Sequence, residues 1–206
     1  TGANNTATGY NALVANTTGA GNTAVGQASL AANTTGNDNT SLGYASLDAN
    51  TAANRNTAIG SEALSTFNVT SDTHTYNTAV GYAAGAAVTT GTHNTFIGGL
   101  AGDATTTGIG NVAVGAEALT VNTTANSNTA IGFGSMAANT TGTSNTSIGR
   151  SSLAANSTAD NNTALGYFAL NVNTTGAGGV AVGTSALAAN TTGSNNTAVG
   201  FLSLDA

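Results

Sequence analysis

The phrase Asn-Thr-Ala-Val-Gly recurs along this chain, its first position falling at 5, 22, 39, 56, 77, 94, 111, 128, 145, 162, 179 and 196. Every step is 17 residues except one of 21. The sequence is therefore read as one repeat array over residues 1–206, twelve copies long, with a four-residue insertion after Gly60, inside 61–76. A fixed period of this kind marks units that bury their apolar surface only by stacking on their neighbours.

Each unit reads N-T-A-[VIL]-G-x-x-[AS]-L-x-A-N-T-T-G-x-x, and comparison of the copies shows what each position tolerates. Position 5 is Gly in every copy, from Gly9 to Gly200. Position 2 is Thr, or Val at Val112 and Val180; position 4 is Val, Ile or Leu except at Thr8. Position 8 is Ala or Ser, and position 9 is Leu or Met except at Gly85 and Gly102. Thr, Val and Ile favour strands, and positions 2 and 4 share one face because strand side chains alternate. The Gly supplies a bend with positive φ or a close backbone approach. Asn-Thr-Thr-Gly, as at Asn16 to Gly19, supplies a second turn. A helix is excluded, since these residues interrupt every stretch before it reaches the ~12 residues a helix needs.

Two short strands and two turns per copy predict an all-β fold, a β-solenoid or β-roll of twelve 17-residue coils. Coils stacked at strand spacing form a rod of roughly 55–60 Å. Val25, Leu42 and Ile59 are expected in one interior column, Leu30 and Leu47 in another, and Asn22, Asn39 and Asn56 in an amide ladder. So thin a coil is expected to bury further surface against other chains, as a trimer. The sequence opens with Thr1-Gly2-Ala3-Asn4 at positions 14–17 and closes with Asp205-Ala206 at positions 10 and 11. No polar cap is recognisable there, so stacking of further coils into a filament is expected.

Composition narrows the function classes. The formal charge is −6, with only two basic residues, Arg55 and Arg150. Nucleic-acid binding depends on Lys and Arg to displace counterions, so no such partner is expected. No run approaches the ~20 apolar residues of a membrane span. The absence of Cys excludes disulfides and thiolate metal sites.

The stretch Asn22-Thr23-Ala24-Val25-Gly26-Gln27-Ala28-Ser29-Leu30 resembles the head repeats of trimeric autotransporter adhesins. The longer unit with Asn-Thr-Thr-Gly is similar to repeats of phage tail fibres and bacterial surface proteins, as is Asn94-Thr95-Phe96-Ile97-Gly98 followed by Ala101-Gly102. The resemblance covers the whole chain, although the period is longer than in adhesin heads. It implies a trimeric left-handed β-roll, a location outside the cell or on a virion, and a role in adhesion or as a shaft.

Chemistry-bearing residues are sparse. His74 and His93 lie about one coil apart and are read as solvated loop residues. Asp72 lies in the insertion and the other acids fall in separate coils, no two at one position in adjacent coils, which gives no carboxylate dyad. No catalytic residues, metal ligands or cofactor are assigned, and an enzyme is not expected. Position 6 carries Tyr10, Tyr44, Tyr82, Phe133, Tyr167 and Phe201, a column suited to sugar rings, to membranes or to a groove between chains. The insertion, with Phe67, Asp72, His74 and Tyr76, is a candidate recognition loop. Three functions compete: a structural fibre, an ice-binding solenoid with Thr ladders, and a carbohydrate-binding adhesin. Against ice binding, Val112 and Val180 suggest that the position-2 column faces inward.

Overall fold

A computed structural model of the chain describes residues 2–205; Thr1 and Ala206, the outermost residues of the expected array, lie outside the described residues. Strands of three residues recur once per repeat: β1 (Thr6–Thr8), β2 (Thr23–Val25), β3 (Thr40–Leu42), β4 (Thr57–Ile59), β5 (Thr78–Val80) and β6 (Thr95–Ile97). They continue as β7 (Val112–Val114), β8 (Thr129–Ile131), β9 (Thr146–Ile148), β10 (Thr163–Leu165), β11 (Val180–Val182) and β12 (Thr197–Val199). All twelve form one sheet in chain order. Neighbours are parallel, and like positions pair with like: Thr23 with Thr40, and Thr57 with Thr78 across the insertion. The chain is a β-solenoid, as its period implies.

Each coil contains one strand rather than the two expected. The rest of the turn is built by residues in the left-handed region at positions 7, 9 and 17, for example Ala28 (φ 56°), Leu30 (52°) and Asp38 (56°). That conformation costs an L-residue about 1–2 kcal/mol. Its benefit lies in where the amides point. Ala28 N–H donates to Tyr10 O in the preceding coil (2.9 Å), and Leu30 N–H to Ser46 O in the following one (3.0 Å). Asp38 N–H returns to Ala20 O at 2.9 Å. The left-handed residues thus carry the inter-coil ladder through the turns. At position 5, φ lies between 128° and 141°. A Cβ on Gly43 would sit 2.5 Å from Gly60 O, so neither the conformation nor the space admits a side chain.

The interior is lined by position 3 (Ala24, Ala58, Ala130), position 9 (Leu30, Leu47, Leu153) and position 12 (Asn33, Asn50, Asn156), all fully buried. The Leu column lies where it was expected; the Val25, Leu42, Ile59 column does not. Positions 2 and 4 do share a face, but it is the outer one, and Leu42 is 46% exposed. The Leu at position 9 fills so narrow a coil that only the Ala or Ser of positions 3 and 8 fits opposite. The aliphatic side chains of position 4 are left outside.

The expected amide ladder is present, and a second runs beside it. Asn39 Nδ2 donates to Asn22 Oδ1 (3.1 Å) and Ala53 O (2.9 Å), while Asn39 N–H reaches the same Asn22 Oδ1 at 3.0 Å. At position 12, Asn33 Nδ2 donates to Asn16 Oδ1 (2.9 Å) and Gly36 O (3.0 Å). Gly36 O also receives Asn22 Nδ2 at 2.7 Å, so the two ladders clamp one carbonyl between them.

Departures from the consensus are matched by neighbours. Where position 3 is Ser, position 8 is Ser in its own coil and in the one before. Ser29, Ser41 and Ser46 form one buried hydroxyl chain, and Ser135, Ser147 and Ser152 another. Where position 9 is Gly, Phe96 fills the vacancy: a Cβ on Gly85 would lie 2.8 Å from its ring and one on Gly102 2.5 Å. The position-12 ladder is interrupted in the same region by buried Phe67, Val88 and Thr105.

Candidate functional site

Three outward-facing surfaces are candidates. The first is the outer face of the sheet. Eleven aliphatic side chains at position 4 run the length of the rod beside ten threonines at position 2. The aliphatics are half-buried to exposed; Ile97 is 39% and Leu165 43% exposed. The expectation that position 2 faces inward is overturned, because Val112 and Val180 lie on this outer face.

The second surface is the aromatic column at position 6, just past the Gly corner. Tyr10, Tyr44, Tyr82, Phe133, Tyr167 and Phe201 are all exposed, from 42% at Tyr167 to 74% at Tyr10 and Phe201. Arg150, in the coil between Phe133 and Tyr167, places its guanidinium carbon 5.8 Å from one ring centroid and 5.9 Å from the other. Such contacts contribute about 0.5–1 kcal/mol at exposed sites. Phe168 packs edge-on against Tyr167, with centroids 4.1 Å apart.

The third surface surrounds the insertion. The coil keeps its register through Asn68, whose N–H donates to Thr89 O at 3.0 Å. It is re-entered at His74, which bridges in parallel to Asn54, and at buried Thr75, whose hydroxyl donates to Asn56 Oδ1 at 2.8 Å. Phe67, expected on the recognition loop, is instead wholly buried. It occupies a position-12 slot, and an aromatic ring gains more from the apolar interior than from water. Asp72 is exposed and accepts a hydrogen bond from Asn54 Nδ2 at 2.5 Å. His74 and His93 do not meet, because Tyr76 stands between them at centroid distances of 5.9 and 5.5 Å. His93 Nδ1 contacts Thr92 Oγ1 at 3.0 Å.

Tyr76 also belongs to a column at position 17, Asp38–Arg55–Tyr76–His93, one residue per coil, that reading the copies separately does not reveal. Arg55 Nη1 donates to the Tyr76 hydroxyl at 2.9 Å, and Arg55 Nε lies 3.8 Å from an Asp38 carboxylate oxygen. Tyr76 first, then Asp38, push the Arg55 guanidinium further up from its ordinary range. Position 17 is left-handed in every one of these residues, which turns each side chain outward in the same way.

The acids are less isolated than their positions suggest. Burial pushes the Asp48 carboxyl above its usual range, and the Glu62 charge in the next coil adds to the shift. Asp103 and Glu117 repeat the arrangement. One oxygen each of Asp48 and Asp103 is buried without a hydrogen-bond partner. The diagonal pairing, position 10 with position 7 of the next coil, escapes a comparison made position by position. Among the described residues no three His, Cys, Asp or Glu side chains group as metal ligands, and no helix is long and apolar enough to cross a membrane. The chain is a β-solenoid repeat protein that carries exposed aliphatic and aromatic columns and one variable loop. No protein-family model matches it, and no curated protein matches it.

Proposed function

We propose that the chain is a non-enzymatic structural repeat protein. Its coils build an extracellular fibre of the adhesin or phage tail-fibre type, self-associating through the outer face of its sheet. One observation carries this reading: an aliphatic column as long as the rod lies half-buried to exposed on the outer face, where the sequence offered it an interior. Full burial of a Val or Leu side chain contributes about 1.5–3 kcal/mol, so each half-buried member still has roughly 1 kcal/mol to gain. Eleven of them together outweigh the lower estimates of association cost, about 4 kcal/mol. The resemblance to trimeric adhesin heads favours three chains around one axis. Sedimentation of the chain is expected to give a trimer or longer rod. Ile131→Lys with Ile148→Lys is expected to give monomers that retain β circular dichroism. A native chain that sediments as a monomer overturns the reading.

A second reading gains from the same face. The position-2 threonines point outward in register beside the aliphatics, a repeating hydroxyl and methyl lattice of the sort an ice surface would match. The two uses are exclusive, since a face buried between chains meets no ice. Thermal hysteresis from a monomer supports ice binding; a trimer without it supports the fibre.

A further inference from the structure

The aromatics of position 6 are not scattered along their column. They occupy coils one, three and five (Tyr10, Tyr44, Tyr82), then coils eight, ten and twelve (Phe133, Tyr167, Phe201). Between them stand Gln27, Ser61, Arg150 and Thr184. Each run is thus three rings on alternate rungs. Because like positions pair across every coil boundary, alternate rungs are separated by two strand spacings, about 9.4–9.8 Å.

We infer that each run is a binding strip for an extended, neutral β-1,4-linked polysaccharide of the cellulose or chitin kind. In such a chain successive sugars are turned over by about half a turn, so the same face of the ring recurs at every second sugar. That repeat is close to two strand spacings. The axial C–H bonds of a β-linked pyranose make its face apolar, and the face of an aromatic ring is the surface that complements it. All six rings are exposed, from 42% to 74%, and none is drawn into the core. Arg150, with its guanidinium 5.8 and 5.9 Å from the Phe133 and Tyr167 centroids, braces both flanking rings and adds donors for sugar hydroxyls between them. The chain's formal charge of −6 favours an uncharged polysaccharide over an acidic one. Three weak stacking contacts on a rigid rod act together, so affinity for a long polymer exceeds that for a short oligosaccharide. The inference stands whether the chain is a monomer or an oligomer.

The test is depletion of the full chain from solution by powdered cellulose and chitin, with α-linked dextran as the control polymer and sedimentation run in parallel. The native chain is expected to bind the β-1,4-linked powders and to ignore dextran. Tyr44→Ala with Tyr82→Ala and Tyr167→Ala is expected to weaken binding about tenfold or more, as truncation of aromatic anchors does. Tyr44→Ser combined with Ser61→Tyr keeps the composition and moves one ring by one rung. It is expected to weaken binding well beyond Tyr44→Phe, which leaves the spacing intact. Absence of binding by the native chain overturns the inference, as does equal binding by the displaced-ring variant. A change in oligomeric state on removing the rings overturns it too, because the column would then be a contact between chains.

Discussion

At the scale of single residues, this fold is a set of unusual conformations made tolerable by repetition. A left-handed Leu is a poor choice in isolation, yet position 9 adopts φ of 49–60° in coil after coil. The same holds for Ala45 at position 7, with φ 49°. Ala45→Gly, which would destabilise an ordinary strand or helix, is therefore expected to be neutral or to stabilise this coil by up to about 1 kcal/mol. Hydrogen-exchange protection of the neighbouring amides measures it. Gly43→Ala is expected to act in the opposite sense, losing about 2 kcal/mol or more, because its Cβ would meet Gly60 O at 2.5 Å. Asp48 and Asp103 give a second residue-scale signature. Burial raises both carboxyls above their ordinary range, so the folded chain holds their protons more tightly than the unfolded chain does. Their contribution to stability is fully present below the ordinary Asp range and is lost as pH rises through the raised folded values. Asp48→Asn with Asp103→Asn is expected to raise Tm at pH 7, with the gain vanishing as pH falls towards the ordinary Asp range.

At the scale of the coil, the invariant positions were readable in the sequence and the facing was not. Twelve aligned copies identify the Gly corner, the Leu of the interior and the Asn ladder, because the first is demanded in every unit and the others in most. They do not say which side of a three-residue strand faces inward; period-two alternation fixes the pairing of positions 2 and 4 and leaves the choice open. Steric room decided it, through Leu30 and its equivalents, and room is a property of the closed coil. Nor does alignment by position reveal Asp38, Arg55, Tyr76 and His93 as neighbours, since a varying column carries its information along the axis. The compensations between coils make this testable. Ser41→Ala alone leaves Ser29 and Ser46 with lost partners and is expected to cost about 1–3 kcal/mol. Ala at all three positions reproduces the other coils and is expected to restore most of the loss in urea unfolding. Phe96→Ala is expected to cost about 3–5 kcal/mol as a cavity. Adding Gly85→Leu and Gly102→Leu, whose φ of 60° and 59° match the Leu of other coils, is expected to recover much of it.

At the scale of the whole molecule, the array is close to one-dimensional, each coil held by the two beside it. Deleting residues 145–161, one full period, is expected to leave the circular dichroism unchanged per residue. Deleting 146–161 instead moves every later side chain out of register and is expected to abolish the cooperative transition. The insertion shows how firmly that register is kept. Between Asn68 and Thr73 the backbone makes an excursion, and the strands on either side, β4 and β5, still pair residue for residue. The corner after position 13 is therefore a splice point: sequence of foreign length and character can be hung there without altering the pitch of the rod. Diversity in such an array can accumulate at one seam while its ruled surfaces stay on the same grid.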